Sequence, residues 1–233
     1  MSQTYYGDEI SRPASIGVST RETFIARTYT HLLGAIAFFL AIEVVLFQSG
    51  LAFSIARGML SVNWLLVLGA FVIVSWLASS AAATAASLPA QYAALGAFVT
   101  AEAIIFVPML YIANAVAPGA IQSAGLLTAI GFAGLTAIAF ATRKDFSFLG
   151  GLLRWAFVVA LLAIVGAVLF GFQLGTWFSV AMVGLAGAAI LYDTSNVLQR
   201  FPEDRYVAAA LQLFSSVALL FWYLLRIFMG NRR

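Results

Sequence analysis

The sequence predicts an all-α integral membrane protein with seven transmembrane helices. Hydrophobic residues make up 63% of the 233 residues and charged residues only 9%, and the mean hydropathy is +1.01. A soluble domain could not cover so much apolar surface with so few charges. From about residue 28 onward, short polar breaks separate apolar stretches of about 20 residues, the length that a helix needs to cross the hydrocarbon core.

These apolar stretches predict helices, because lipid satisfies no backbone polar group and a spanning segment must make its hydrogen bonds internally. A transmembrane β-barrel would show alternating segments of about ten residues, and the sequence has none. The predicted spans are residues 28–48, 61–82, 91–112, 120–141, 152–171, 175–198 and 206–228. They leave no room for a soluble domain after about residue 27.

The chain therefore divides into a polar tail, residues 1–27, and a seven-helix transmembrane bundle, residues 28–233. The composition of the tail predicts disorder up to about Ser19, and residues 20–25 suggest a short interfacial helix. No apolar core begins before Arg27, so the tail does not resemble a cleavable signal peptide. The sequence has no cysteine, which excludes disulfide and thiol chemistry.

Basic residues predict the topology. With the N-terminus in the cytoplasm, the inside segments hold eight of the 12 lysine and arginine residues and the outside segments hold four. This bias favours a cytoplasmic N-terminus, with a re-entrant last segment as the alternative to a seventh crossing. The net charge of +3 fits anionic lipid headgroups as partners rather than nucleic acid.

Asp193 is the first candidate for function, because a carboxylate at membrane depth is costly and is usually retained for a purpose. By helix rise it lies about 10 Å inside Arg200. Asn196 and Arg200 follow it by three and seven residues, so the three share a helix face. The functional interpretation is a titrating switch or a cation ligand. The alternative is a capping or packing carboxylate at the cytoplasmic helix end.

Two further acids lie in predicted spans. Glu102 is mid-span, six residues before Pro108, and a proline leaves a backbone carbonyl unpaired one turn earlier. Glu43 lies near an outer helix end, where we expect its side chain to snorkel to the interface. The last span carries a polar patch at helical spacing, whose simplest use is interhelical hydrogen bonding. The patch consists of Gln212, Ser215 and Ser216.

Signatures of catalysis are missing from the sequence. His31 is the only histidine, so no paired-histidine zinc site can form. Neither a Gly-Xaa-Ser-Xaa-Gly element before a helix nor a glycine-rich phosphate loop is present. We expect a protein that is not an enzyme, with no cofactor and no metal centre.

Three segments carry a resemblance to a known family. Residues 142–153, TRKDFSFLGGLL, resemble the loop after the fourth helix in the Bax inhibitor-1 (TMBIM) superfamily, in particular its bacterial YccA-like branch. Residues 189–196, AILYDTSN, resemble the family's sixth-helix motif, and residues 206–214, YVAAALQLF, resemble the start of its last helix. The resemblance covers nearly the whole chain. It implies six helices around a central seventh, a bacterial inner-membrane location and a cytoplasmic N-terminus.

Calcium-leak members of that family are understood to sense pH with two facing aspartates, one in the sixth helix and one in the last. Asp193 matches the first of these, but Ser216 stands at the position of the second. Those members also use an arginine in the second helix, and the span 61–82 has no basic residue. A paired-carboxylate mechanism, in which like charges share a proton, is therefore not expected here.

In the YccA-like branch a serine also stands at that position, and the branch binds and restrains a membrane-anchored AAA protease of the FtsH type. The resemblance therefore implies a modulator of such a protease and of membrane stress. The alternative is a pH-sensitive leak channel for calcium, protons or another cation. A modulator needs an exposed tail, such as residues 1–27, whereas a channel needs a continuous polar path. The ion-binding or pH-sensing candidates are Asp193, Asn196, Gln212, Ser216 and Glu102.

Overall fold

The computed structural model of the chain describes residues 16–85 and 87–230, and all regular structure in that range is helical. Eight helices follow one another in the described part. They are α1 (Ile16–Gln48), α2 (Leu51–Ser61), α3 (Trp64–Thr84), α4 (Leu88–Val116), α5 (Ala120–Thr142), α6 (Leu149–Phe170), α7 (Thr176–Gln199) and α8 (Tyr206–Gly230).

Seven of these helices are long and apolar enough to cross a membrane, and α2 is the exception. The predicted all-α integral membrane fold with seven spans is thus confirmed. Successive spans run in opposite directions, so the connections near residues 85–87, 143–148 and 200–205 lie at one end of the bundle, the Arg200 end. The connections near residues 49–63, 117–119 and 171–175 lie at the other, the Gly171 end.

Helix α2 was not predicted from the sequence, and it lies between the predicted spans 28–48 and 61–82. With 11 residues it is about 16 Å long, too short to span the bilayer. Gly50 precedes it with φ of 78°, a left-handed conformation that glycine adopts without steric cost. The small side chains of Ala52 and Ala56 then pack against Val107 of α4.

Helix α1 corrects a second expectation. It runs unbroken for 33 residues, so residues 20–25 form part of this long helix and not a separate interfacial one. The reason is a buried stripe of Phe24, Thr28 and Leu32, which continues the apolar face of the span into the polar segment. Residues 16–19 are also helical, so the predicted disorder is wrong for these four residues, and the rest of that prediction, for residues 1–15, lies outside the described residues.

The last helix lies at the centre of the bundle, as the resemblance implies. Helix α8 packs against α7, α1, α5, α4 and α3. In its most apolar stretch of 18 residues, 72% of the residues are buried. Helix α6 differs, because its backbone packs against α7 and α3 and stays away from α8. The outward faces of α3, α5 and α6 are apolar, as at Leu66, Leu126 and Leu162, which is what contact with lipid requires.

Candidate functional site

Asp193 forms the centre of the candidate site. Its side chain is only 3% exposed. Gln212 Nε2 donates a hydrogen bond of 2.6 Å to Oδ1, and Ser216 Oγ donates one of 2.5 Å to Oδ2. The structure therefore brings together three of the residues that were singled out in the sequence, and each carboxylate oxygen has a donor.

The geometry follows from two helical spacings. Gln212 and Ser216 are four residues apart, so they lie one above the other on the same face of α8. The short connection at residues 200–205 makes α8 antiparallel to α7, which turns that face toward Asp193. Because Ser216 is a hydroxyl and not a second acid, Asp193 faces two neutral donors.

A large cavity adjoins this site. Its volume is about 1180 Å³, and Asp193, Gln212 and Ser216 contribute to its wall. It lies between α3 and α6 on one side and α4, α7 and α8 on the other, in the space left by the separation of α6 from α8. At the Arg200 end it reaches Arg154, and at the Gly171 end it reaches Arg226.

Glu102 lines the same cavity from α4. It is 7% exposed, and within the described residues its carboxylate makes no hydrogen bond or ion pair. Glu102 is 14 residues from the start of α4 and Asp193 is six residues from the end of α7. Helix rise therefore places the two acids about 12 Å apart in depth, with Glu102 deeper in the bundle.

Asn196 is not part of the cavity wall, although it lies one turn from Asp193. It is buried, and its backbone carbonyl accepts hydrogen bonds from the backbone N–H groups of Arg200 at 2.8 Å and Phe201 at 2.9 Å. The bond from Arg200 closes the last turn of α7, and the bond from Phe201 gives the same carbonyl a second donor beyond the end of the helix. The structure thus places Asn196 at the helix terminus, where it does not share the hydrogen bonds that join Gln212 and Ser216 to Asp193.

Glu43 does not snorkel to the interface, and that prediction is wrong. The residue is 7% exposed, and neither carboxylate oxygen has a hydrogen-bond partner in the described structure. The physical reason is α2, which packs against the end of α1 and against α4. Leu46 and Phe47, one turn further along α1, contact the α2 cluster, so this part of α1 is covered by protein.

Arg21 is a structurally important residue that sequence reasoning missed. Its guanidinium donates to three backbone carbonyls at the end of α7: Nε to Leu198 at 3.1 Å, Nη1 to Phe201 at 2.5 Å and Nη2 to Val197 at 2.8 Å. Carbonyls at a helix C-terminus lack intrahelical donors and favour a positive charge. In the sequence Arg21 resembles any other basic residue beside a span. The sequence therefore showed only that Arg21 contributes to the charge bias that predicts the topology.

The loop at residues 143–148 is attached to the same end of α7. Ser195 Oγ donates to the Lys144 carbonyl at 3.2 Å and accepts from the Phe146 backbone N–H at 3.0 Å. Gln199 Nε2 donates to the Arg143 carbonyl at 3.0 Å. The loop motif and the helix motif that carried the resemblance therefore form one structural unit.

Side chains complete this attachment. Arg200 Nη2 donates to Asp145 Oδ2 at 2.6 Å and to Ser147 Oγ at 2.8 Å. The hydrogen bond from Arg200, followed by those from Ser147, lowers the pKa of Asp145 below its ordinary value of 3.8. Gly150 lies so close to α7 that a Cβ there would be 2.9 Å from the Tyr192 ring.

Metal-binding geometry is not found in the part of the chain that the structure describes, where no group of three His, Asp or Glu side chains comes together. His31 instead takes part in local polar contacts. Its Nδ1 is 2.6 Å from the Arg27 carbonyl, and its Nε2 is 2.8 Å from the Tyr92 hydroxyl. The first contact lies within α1, and the second joins α1 to α4 near the Arg200 end.

The fold and the site define a class of protein: an integral membrane bundle of seven spanning helices, with a buried aspartate on the sixth span held by donors on a central seventh. Comparison with known proteins gives the family. The chain belongs to the family described as inhibitor of apoptosis-promoting Bax1, which matches residues 21–233. The resemblance to the Bax inhibitor-1 superfamily is confirmed.

Several relatives match about half of this chain. A Pseudomonas aeruginosa protein, PA2604, is 40% identical over 111 residues, which are 46% of this chain and 49% of the relative. The Escherichia coli protein named modulator of FtsH protease YccA is 35% identical over 101 residues, 43% of this chain and 46% of the relative. Protein LIFEGUARD 4 of Arabidopsis thaliana is 35% identical over 116 residues, 46% of each chain. The matched region thus spans about half the length of each relative.

Proposed function

We propose that this protein modulates a membrane-anchored AAA protease of the FtsH type and thereby the response to membrane stress. In this proposal it lies in a bacterial inner membrane with its N-terminus in the cytoplasm and has no catalytic activity of its own. The observation that carries the proposal is the hydroxyl of Ser216 opposite Asp193, where a paired-acid leak channel would need a carboxylate. The similarity to YccA, which is named a modulator of FtsH protease, supports it.

The attachment of α1 fits the way a protease would engage such a protein. An AAA protease pulls on a chain from an exposed end. Traction on the residues before α1 would have to break the three hydrogen bonds of Arg21 to α7 and extract Phe24, which is buried in the core. A bundle that resists extraction in this way would occupy the protease and slow its turnover.

The test is removal of the tail in cells that contain an FtsH-type protease. Deleting residues 2–15 leaves α1 whole, since that helix begins at Ile16. We expect the deletion to lengthen the lifetime of the protein and to abolish its co-purification with the protease. A matched control carries the same 14 residues in scrambled order, which tests whether length alone suffices. An unchanged lifetime, together with failure of the full-length protein to co-purify, would contradict the proposal.

A cation leak is the second candidate, and the cavity favours it. The cavity runs from Arg154 to Arg226 and has two acids, Asp193 and Glu102, in its wall. We expect the purified protein in liposomes to show no steep pH-gated calcium flux. The variant Ser216→Asp should introduce such a flux, because two facing carboxylates titrate as a coupled pair. Steep flux through the wild type that Asp193→Asn abolishes would support the leak channel instead.

The orientation of the protein in the membrane is tested by a separate experiment. Seven crossings place the two chain ends on opposite sides of the membrane. A reporter that is active only in the cytoplasm should therefore be active when fused at residue 1 and inactive when fused after Arg233. Cytoplasmic activity at both ends would contradict a complete crossing by α8.

A further inference from the structure

We propose that the cavity between α3, α6 and α8 binds a hydrophobic organic cation, with Glu102 as its counter-ion. The inference goes beyond protease modulation and does not depend on it. It assigns a ligand class to the cavity: a molecule of apolar or aromatic bulk that carries one ammonium or similar positive centre.

The first argument is the condition of Glu102. Glu102 is only 7% exposed, and it lines the cavity. No described residue forms a hydrogen bond or an ion pair with its carboxylate. Burying an acid without a partner is costly, and acids retained at membrane depth usually have a partner or a function. A cation in the cavity supplies the missing partner.

Asp193 is less suited than Glu102 to act as the counter-ion of a bound cation. Both of its oxygens already accept hydrogen bonds, from Gln212 and Ser216. A ligand that bound Asp193 would have to displace one of these donors, whereas Glu102 has none to lose. Glu102 is therefore the acid in the cavity that is available to a ligand.

The walls near Glu102 suit a cation with an apolar body. Phe106 follows Glu102 by one turn of α4 and also lines the cavity, so its ring lies beside the acid. The Trp222 ring packs edge-on against Phe106 with centroids 4.9 Å apart, and Phe71 and Tyr223 contribute further aromatic surface. Aromatic faces attract cations, most strongly where water is excluded.

Size and charge favour an organic cation over a metal ion. Calcium takes six to eight oxygen ligands, but Asp193 and Glu102 lie about 12 Å apart in depth, and no three acids come together among the described residues. A volume of about 1180 Å³ accommodates a drug-sized molecule. Arg154 and Arg226 at the two ends repel a cation, which confines the positive centre to the middle of the cavity, at the depth of Glu102.

The experiment uses two probes of equal shape and opposite charge, tetraphenylphosphonium and tetraphenylborate, with the full-length protein in nanodiscs and mildly alkaline buffer. Binding is measured by equilibrium dialysis against empty nanodiscs and by tryptophan fluorescence, since Trp64 and Trp222 line the cavity. We expect saturable binding of the cation and none of the anion. Glu102→Gln should weaken cation binding by a factor of about thirty or more, the typical effect of truncating one partner of a buried charge pair.

Glu43→Gln is the matched control. Glu43 is as buried as Glu102, at 7% exposure, and also lacks a partner, but it does not line the cavity. This variant should bind the cation like the wild type. Asp193→Asn should lose less affinity than Glu102→Gln, and a greater loss would overturn the assignment of Glu102.

Three other results would overturn the proposal: no saturable cation binding by the wild type, equal affinity for tetraphenylborate, or unchanged affinity in a folded Glu102→Gln variant. Should Glu102→Gln fail to fold, Val72→Trp provides a second test, because Val72 lines the cavity from α3 and lies 12 residues from the end of that helix, at about the depth of Glu102. The larger side chain should narrow the cavity beside Glu102 and weaken cation binding. Unchanged binding by this variant would equally contradict the proposal, whatever the outcome of the tail deletion.

Discussion

Helices α8 and α6 are similar in sequence character but very different in position. Both are apolar spans, of 25 and 22 residues. In the most apolar 18-residue stretch of each helix, 72% of the residues are buried in α8, whereas only 11% are buried in α6. Apolar composition therefore identifies the segments that enter the membrane but does not decide which of them occupies the centre of the bundle.

Polar residues account for the difference, because both helices contain small residues. Near its start, helix α8 has three buried alanines, Ala208, Ala209 and Ala210, and it then presents Gln212 and Ser216 to α7. Lipid tails are as apolar as leucine, so helices in a bilayer associate through close packing of small residues and interhelical hydrogen bonds. Helix α6 has no glutamine, serine or threonine, and its leucines include outward side chains such as Leu162, which lipid solvates equally well.

Truncating one leucine in each helix should give the largest contrast. Leu213 of α8 is 0% exposed and Leu162 of α6 is 65% exposed. We expect Leu213→Ala to lower the free energy of unfolding by about 2–5 kcal/mol, because it leaves a cavity in a packed core, and Leu162→Ala to change it little. Denaturant unfolding in mixed micelles measures both. Equal losses would show that α8 is not the better packed helix.

Two arginines extend the comparison to the Arg200 end. Arg21 donates three hydrogen bonds to the end of α7, whereas Arg154 of α6 makes one, of 3.3 Å, to Gly150. Arg21→Ala should cost about 2–3 kcal/mol, the scale of a hydrogen bond from a charged group, and Arg154→Ala less than about 1 kcal/mol. Arg21→Lys should recover only part of the loss, because an ammonium cannot reproduce the planar fork of donors. Full recovery by lysine would contradict the role of the three bonds.

Two neighbouring serines of α8 test the contact at Asp193. Ser216 Oγ donates to the carboxylate, and Ser215 makes no such bond, although both line the cavity. We expect Ser216→Ala to destabilise the protein by about 1–3 kcal/mol, since it leaves one oxygen of a buried acid without a donor. Ser215→Ala should lie within about 0.5 kcal/mol of the wild type. Thermal unfolding of the two variants side by side measures the difference, and equal midpoints would argue against a structural role for the Ser216 contact.

Periodicity made part of this structure predictable. Runs of about 20 apolar residues predict spans because a bilayer imposes a length. A four-residue spacing placed Gln212 and Ser216 on one face, because a helix repeats every 3.6 residues. An acid in the preceding span was then their natural partner, so the contact with Asp193 follows from rules that operate within a helix and across a short connection.

The remaining features depend on how helices are arranged in space. The burial of Glu43 requires α2, whose 11 residues fall below the length that marks a span. The role of Arg21 requires the end of α7 to lie within reach across 176 residues of sequence. The cavity exists because α6 packs on α7 and α3 and not on α8, and no local pattern in α6 encodes that separation.

The smallest expected effect concerns the loop that ties the start of α6 to α7. The hydrogen bond from Arg200 lowers the pKa of Asp145 below 3.8, so the ionised form is favoured in the folded protein. The sign follows directly: the pair stabilises the fold above pH 3.8, and this contribution is lost as the pH falls through the lowered pKa of the folded state.

Arg200→Ala should therefore raise the pKa of Asp145 toward 3.8, as NMR of the carboxyl group would show, and should reduce the acid dependence of the thermal midpoint. Both side chains are about half exposed, at 53% and 46%, so added salt should screen the pair and shrink the difference between variant and wild type. Arg57→Ala removes an equal charge from α2 at the opposite end and should leave the titration of Asp145 unchanged. If Arg200→Ala also leaves that titration unchanged, the ion pair does not hold the loop, and the hydrogen bonds of the Ser195 and Gln199 side chains with the loop backbone fix the start of α6 against α7.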